Sequence, residues 1–443
     1  MKKRALLLCA LAAALLILGG CTVSSIDELY SLPRPQEEFL QLQELIDNEI
    51  SRGSEYSAPT VGAIRQTVRL ADLDGDGKDE ALAFLKNSEQ QPEICIYRSI
   101  SGEYVLAMKI TGEGAGIGRF EYADMDGDGI CEMLVSFKVS DELYLMKAYS
   151  IKDWVSSILL TTNCTDFQIG DPDNNGRLDA VVLDFASLGG TIEMFTADAS
   201  GEMTRTVERL SENMASVDRF RVANISDGTP AIFVEGSTSG QRNQVFVTDI
   251  FICAEGKLKN ISGTDDSGSL ATQRSYQVYS TDINGDGAME VPLAQRLPEQ
   301  SKASAEYYVF DWYGYSADGE RRLVSSTYHC YNDGWYLIIP QQWRQTLSIR
   351  RELGITGERA VVLSLMDPMS GKVSDLITIY TLTDENRMDR AKLEGRFVLL
   401  RSETVIYAAK LHRENVQENM LPTEENIIEG FHIIYSEWNT GAV

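Results

Sequence analysis

One short acidic pattern recurs along this 443-residue chain at nearly even spacing, and that recurrence limits the fold more than any other feature. Four copies read ADLDGDGKDE from Ala71, ADMDGDGICE from Ala123, GDPDNNGRLD from Gly170 and TDINGDGAME from Thr281. A fifth, ANISDGTPA from Ala223, keeps the frame but is shorter and has lost most of its acids. Counted from Asp72, Asp124, Asp171, Asn224 and Asp282, the steps are 52, 47, 53 and 58 residues. A period near fifty with strand-like flanks is the size of one four-stranded unit of a radial β array.

The flanks support strands. In the first repeat, residues 66–71 lead into the acidic segment and Glu80–Leu85 leave it. Residues 93–98 and 104–110 then alternate apolar and polar around a turn at Ser101 and Gly102. The last repeat closes on a similar hairpin around Asp318 and Gly319. No helix-period segment interrupts residues 58–332, so the expected fold is mainly β: a β-propeller of about five four-stranded blades. Such an array must hide its end strands, and closure into a ring does so.

From residue 333 to residue 443 the pattern changes. Strand-like runs at Trp335–Ile339, Ala360–Leu365, Leu376–Tyr380, Phe397–Leu400 and Val405–Ala409 precede a segment with helical spacing. Thr423 can cap that helix, with Ile427, Ile428, Phe431, Ile434, Tyr435 and Trp438 on one face. The expectation is a small C-terminal α+β domain.

The N-terminus has its own logic. Lys2, Lys3 and Arg4 precede an apolar run from Ala5 to Leu18, then Gly19, Gly20 and Cys21. The run is shorter than the roughly 20 residues a membrane span needs. Residues 1–20 read as a secretory signal peptide. The small residues before Cys21 resemble a lipobox, which implies lipidation of Cys21 and an extracytoplasmic chain attached to the cell membrane. Residues 21–57 then serve as a lipid-anchored tether and a short helix, with Phe39, Leu42, Leu45, Ile46 and Ile50 at helical spacing.

Charge and cysteines narrow the partners. With 40 basic and 66 acidic residues the formal charge is −26, which argues against nucleic acid. Of seven cysteines, Cys9 lies in the signal and Cys21 is the lipid site. The remaining five are widely spaced without a CxxC pair, which suggests neither a disulfide scaffold nor a zinc site.

The acidic segments carry the one clear chemical signal. Oxygen side chains stand at positions 1, 3, 5 and 9 of each. They are Asp72, Asp74, Asp76 and Glu80; Asp124, Asp126, Asp128 and Glu132; Asp171, Asp173, Asn175 and Asp179; and Asp282, Asn284, Asp286 and Glu290. Alternate residues of a tight loop can converge on one point, and a hard cation such as Ca²⁺ takes 6–8 oxygens at about 2.3–2.6 Å. The carbonyls of Lys78, Ile130, Arg177 and Ala288 at position 7 can add one ligand to each site. An EF-hand would place a bidentate Glu at position 12, where this chain has Ala83, Val135, Val182 and Leu293. These loops belong to strands, not helices.

This pattern resembles the FG-GAP/VCBS repeats of integrin alpha-like propellers, over roughly residues 58–332. The resemblance implies structural calcium at up to four sites, on the loop residues just named and not on Asn224. Blade number departs from the seven of integrins. The segment from Gly334 to Gly441 resembles the PsbP-like α/β/α fold of bacterial lipoproteins, which implies a fold and no activity.

The expected function is non-enzymatic: a membrane-anchored lipoprotein presenting a binding surface for a protein or a glycan. No catalytic residue is assigned. Only His329, His412 and His432 exist, and GxSxG, HExxH and P-loop patterns are absent. The rival reading is a surface carbohydrate-active hydrolase using carboxylates on one propeller face, with Tyr307, Tyr308, Trp312 and Tyr313 as a sugar-stacking patch. A polar loop carrying Arg242 and Asn243 beside the acid-poor fourth repeat is a candidate partner contact.

Overall fold

The computed structural model describes residues 37–434, apart from 142, 186–188, 199, 212–213, 239–244, 264–269, 298–307, 394 and 414–419. The signal segment, Cys21, Arg242, Asn243, Tyr307, Tyr435 and Trp438 therefore lie outside the described residues.

The protein is mainly β and is built from six antiparallel sheets of four or five strands. Sheet one contains β1 (Glu55–Tyr56), β2 (Val68–Ala71), β3 (Glu80–Lys86), β4 (Pro92–Ile100) and β5 (Glu103–Thr111). Sheet two is the meander β6 (Ile117–Ala123), β7 (Glu132–Lys138), β8 (Tyr144–Lys152) and β9 (Val155–Cys164). Sheet three follows with β10 (Asp166–Gly170), β11 (Asp179–Asp184), β12 (Thr191–Ala197) and β13 (Met203–Arg209). Sheet four runs through β14 (Met214–Asn224), β15 (Pro230–Thr238), β16 (Phe246–Ala254) and β17 (Lys257–Asn260). Sheet five has β18 (Val291–Arg296), β19 (Tyr308–Tyr315), β20 (Arg321–Cys330) and β21 (Trp335–Ile338). Sheet six has β22 (Leu347–Leu353), β23 (Glu358–Met366), β24 (Val373–Leu382), β25 (Arg396–Arg401) and β26 (Ile406–Leu411), with β26 lying between β24 and β25.

Strand composition follows position in the sheet. Second and third strands such as β3, β7 and β11 are almost wholly buried on both faces, and their sequences are continuous apolar runs. Outer strands such as β13 face water and carry alternating polar residues. The pairings β4–β5, β8–β9 and β19–β20 each slip by one residue, between Ile96 and Tyr97, Ala148 and Tyr149, and Trp312 and Tyr313. Such bulges increase the local twist.

Successive sheets share apolar cores. Phe84 and Ile96 of sheet one meet Phe120 and Phe137 of sheet two, with the Phe84 and Phe120 rings edge-to-face at 5.0 Å. Leu134 and Ala148 meet Phe167 and Val182 across the next gap. Val181 and Met194 meet Val234 and Phe251, and Phe233 and Ile250 meet Val291 and Tyr315. Trp335 and Leu337 of sheet five pack on Leu363, Ile379 and Tyr407 of sheet six. The helix α1 (Glu37–Ser51) covers the other face of sheet one by setting Leu42 and Ile46 against Ala83 and Tyr97. Ile46 is 1% exposed. Among the described residues no core cluster joins sheet six to sheet one.

Two features of the C-terminal region differ from expectation. The capped helix exists but is short: α3 spans Glu424–Glu429, after α2 (Arg387–Arg390) in chain order. Thr423 Oγ1 accepts from Asn426 N at 3.1 Å, and the Asn426 side chain accepts from Thr423 N in return. The helix stops at Gly430, and Phe431–Ile433 is a strand, β27, paired with β21. Phe431 is therefore a strand residue rather than a member of a helical face. Sheet five also continues across residue 333 through β21 and then takes β27 as its outer strand.

Buried ion pairs fix the connections. Arg274 and Glu235 are both buried and lie 2.9 Å apart, and Arg274 also donates to Val278 O, Thr248 Oγ1 and Thr272 O. This clasp holds the run into sheet five against sheet four. Its polar atoms are largely satisfied, as a buried pair requires.

Candidate metal centres

The four acidic segments form one structural motif repeated at the first hairpin of sheets one, two, three and five. Each sits between a first strand and the second strand, or in sheet five between the Thr281–Glu290 bridge partners. The position-1 carboxylate pins the loop through two backbone amides. Asp72 accepts from Gly75 N at 2.8 Å and Gly77 N at 3.0 Å, and Asp124 from Gly127 N at 2.7 Å and Gly129 N at 3.0 Å. Asp171 accepts from Asn175 N and Gly176 N at 3.0 and 2.9 Å. Asp282 accepts from Gly285 N and Gly287 N at 2.7 and 2.8 Å. Gly77, Gly129, Gly176 and Gly287 all have φ between 81° and 89°, a left-handed conformation that a side chain resists.

The remaining positions follow the same rule. Asp74, Asp126, Asp173 and Asn284 at position 3 each accept from the amide two residues on. At position 5, Asp76, Asp128, Asn175 and Asp286 accept from the amides of Lys78, Ile130, Arg177 and Ala288. Position 9 reaches back in three loops: Glu80 accepts from Leu73 N, Glu132 from Met125 N and Glu290 from Ile283 N, at 2.9, 2.9 and 3.1 Å. In the third loop Asp179 is one methylene shorter.

These contacts turn the side chains inward. Carboxylate oxygens of Asp72, Asp74 and Glu80 lie within 4.8 Å of one another, as do those of Asp124, Asp126 and Glu132, and of Asp171, Asp173 and Asp179. Two oxygens across one ion of the calcium type lie about twice the 2.3–2.6 Å bond apart, so each triad fits around a single centre. The fifth-sheet loop has the same backbone, with the amide Asn284 in place of a third acid.

Electrostatics favour a cation here. Burial raises Glu80, Glu132, Asp179 and Glu290 to about 7, and the neighbouring aspartates of each loop push in the same direction. Oε1 of Glu290 is buried without a hydrogen bond among the described residues, and the buried Asp179 carboxylate has no partner beyond the Thr196 side chain. An unsatisfied buried carboxylate is costly, and a metal ion satisfies it directly.

The structure adds one residue that the spacing of the sequence did not mark. Lys152, at the end of β8, sets Nζ 3.1 Å from Asp128 Oδ2 and 4.0 Å from Asp126 Oδ2. The acid-poor turn after Asn224 has found other partners. Asp227 Oδ1 accepts from Thr229 N, and its Oδ2 accepts from Ala317 N of the sheet-five hairpin. Of the aromatic residues considered for sugar stacking, Trp312 is fully buried with Nε1 donating to Thr327 Oγ1, and Tyr308 packs against Tyr276 with ring centroids 4.5 Å apart and planes tilted by 58°. They belong to the packing of sheet five. His329 is buried between Thr327 Oγ1 and the Tyr331 hydroxyl, and His412 meets Thr378 Oγ1 at 2.9 Å.

The chain matches no known protein-family model. Nor does it match any curated protein.

Proposed function

We propose that this protein is an extracytoplasmic lipoprotein, anchored through Cys21, whose body is a calcium-stabilised propeller of the FG-GAP/VCBS kind. In this reading its last hundred residues form a PsbP-like companion, and the assembly presents a binding surface to a glycan or a protein. The observation that carries it is the repeated loop: four copies of one oxygen-lined frame on sheets one, two, three and five, with an orphaned buried carboxylate oxygen at Glu290 and a buried, poorly partnered carboxylate at Asp179. The donor set is all oxygen, without imidazole or thiolate, which suits a hard cation and not zinc or copper. The irregular loop, carboxylate count and main-chain carbonyls at Lys78, Ile130, Arg177 and Ala288 favour Ca²⁺ over the strict octahedron of Mg²⁺.

Calcium would act as a staple between the first two strands of each sheet, not as a catalyst. At a hundredfold excess over Kd, each occupied site adds about 2.7 kcal/mol to stability. Chelation should therefore lower the melting temperature, and Asp124→Ala should remove part of that response. Cys21→Ala should move the protein out of the membrane fraction. A melting curve indifferent to calcium and chelator would reduce the loops to turns. Retention of the processed variant in the membrane would end the lipid-anchor reading.

A further inference from the structure

The first strands of sheets two, three and four carry a second repeated feature, upstream of the acidic or acid-poor turn. Arg119, Asp166 and Arg219 each stand five residues before position 1 of their repeat, at Asp124, Asp171 and Asn224. Five strand residues place them about 17 Å from the turns. They line a partly enclosed cleft of about 510 Å³, with an adjoining lobe of about 230 Å³. That volume falls within the range of small-molecule sites.

The polar groups of the cleft are held in place. Arg119 grips Asp166 in a two-point pair, Nε to Oδ1 at 2.8 Å and Nη2 to Oδ2 at 3.2 Å. Asp218 accepts from the Tyr279 hydroxyl at 3.1 Å, and the Arg219 guanidinium lies 4.9 Å over the Tyr279 ring. The chain before sheet one forms the rim, where Thr60 N and Val61 N donate to Gly118 O at 2.9 Å. Gly62 sits so near the Arg119–Glu121 pair that a Cβ would fall 3.1 Å from Arg119 Nη1 and 3.3 Å from Glu121 Oε1.

We propose that this cleft binds a neutral polyhydroxyl ligand, a mono- or disaccharide unit. The lining balances three guanidinium groups (Arg65, Arg119, Arg219) against three carboxylates (Glu121, Asp166, Asp218). An anion binding at Arg119 would have to displace Asp166, and a cation binding at Asp166 would have to displace Arg119. Both lose a charge-assisted two-point bond. A sugar keeps the pairs intact and uses their spare capacity. Among the described residues Glu121 Oε2 accepts no hydrogen bond, and Arg65 donates only through Nε, to Gly62 O at 3.1 Å. Phe220, Val217 and Leu183 supply an apolar floor for the C–H face of a ring. An apolar ligand would instead desolvate these charges without compensation.

The proposal rests on the glycan branch of the function above and supplies its site. Calorimetric titration of the full, calcium-loaded chain in detergent would test it, with glucose, galactose, N-acetylglucosamine, maltose, cellobiose and lactose as probes. Inorganic phosphate and citrate form the anionic arm. At least one neutral sugar should bind saturably, with an affinity that changes less than about twofold with salt, because no net charge is neutralised. Glu121→Gln and Arg65→Ala, both at partly exposed positions, should each weaken binding about tenfold while leaving the melting curve unchanged. Saturable binding of phosphate or citrate alone would overturn the assignment. So would the absence of binding by every sugar, or sugar binding untouched by both variants. Chelator-sensitive melting alongside any of these failures would leave the calcium propeller standing and remove only the cleft.

Discussion

The backbone amide of Cys131 donates to the carbonyl oxygen of Leu73 at 2.8 Å, so the second acidic loop hangs from the first. The two loops touch again at Gly75, where a Cβ would fall 2.4 Å from Gly129 O. Met289 N repeats the link in the later sheets by donating to Asn224 O at 2.9 Å. The first two cages are therefore hydrogen-bonded main chain to main chain, and the fifth-sheet loop is tied in the same way to the acid-poor turn.

That link makes Gly75 a sharp test. Its φ of +72° and the close carbonyl both oppose a side chain. Gly75→Ala should cost about 1–3 kcal/mol in chemical denaturation. It should also weaken calcium binding at both the first and second loops, read by titration calorimetry. Weakening confined to the first loop would show that the cages are independent.

Calcium should stabilise the protein more at about pH 8 than at about pH 5.5. Glu80, Glu132, Asp179 and Glu290 titrate near 7 in the fold, above their ordinary values of 4.5 and 3.8. Between those values the folded state holds protons that the unfolded state has released. The metal-free fold therefore loses stability as pH rises through 7. Above 7 the carboxylates are charged and free for a cation, while below it protons compete. Equal melting shifts at the two pH values would exclude these side chains as ligands.

Lys152→Met should tighten calcium at the second loop alone. The ammonium at 3.1 Å from Asp128 Oδ2 repels an incoming divalent ion. Unit charges about 4 Å apart interact by about 1 kcal/mol even in water, so an affinity gain of about three- to tenfold is expected. The side chain is 57% exposed, and the substitution should leave the metal-free melting point nearly unchanged.

His329 should make the protein acid-sensitive. Burial lowers it to about 3 from the ordinary 6.5, and Phe310 and Tyr336 crowd its ring at 4.7 and 5.4 Å. Below 6.5 the unfolded chain takes up a proton that the fold refuses. This contribution is complete above 6.5 and is lost progressively as pH falls toward 3, by up to about 1.4 kcal/mol per pH unit. The raised carboxylates oppose this slope, so the comparison is between wild type and His329→Gln at pH 7 and about pH 5. The stability difference between the two proteins should shrink on acidification.

The sheets and loops were legible because each rests on a local signal. Period-two strands and the D-x-D-G-D-G frame need no distant partner to be recognised. The face of α1 was legible for the same reason, with Leu42 and Ile46 buried as their spacing implied, although Phe39 is 36% exposed. What escaped depends on distant pairing. Phe431 continues the helical spacing of Ile427, but β21 offers a strand edge there and Gly430 ends the helix first. Arg119 and Asp166 are 47 residues apart and belong to no motif, so only the stacking of sheets two and three brings them together.

The return of β27 to sheet five sets an order on assembly. Sheets one to four, among the described strands, are built from segments adjacent in sequence, and each can fold as its own strands emerge. The fifth cannot, because Phe431–Ile433 pairs with Trp335–Leu337 across nearly a hundred residues. Until then Trp335–Ile338 presents an open hydrogen-bonding edge, the kind that recruits foreign strands. The interval between the emergence of residue 338 and that of residue 433 is thus the stretch of biosynthesis most exposed to aggregation. A chaperone that covers open strand edges would matter most there.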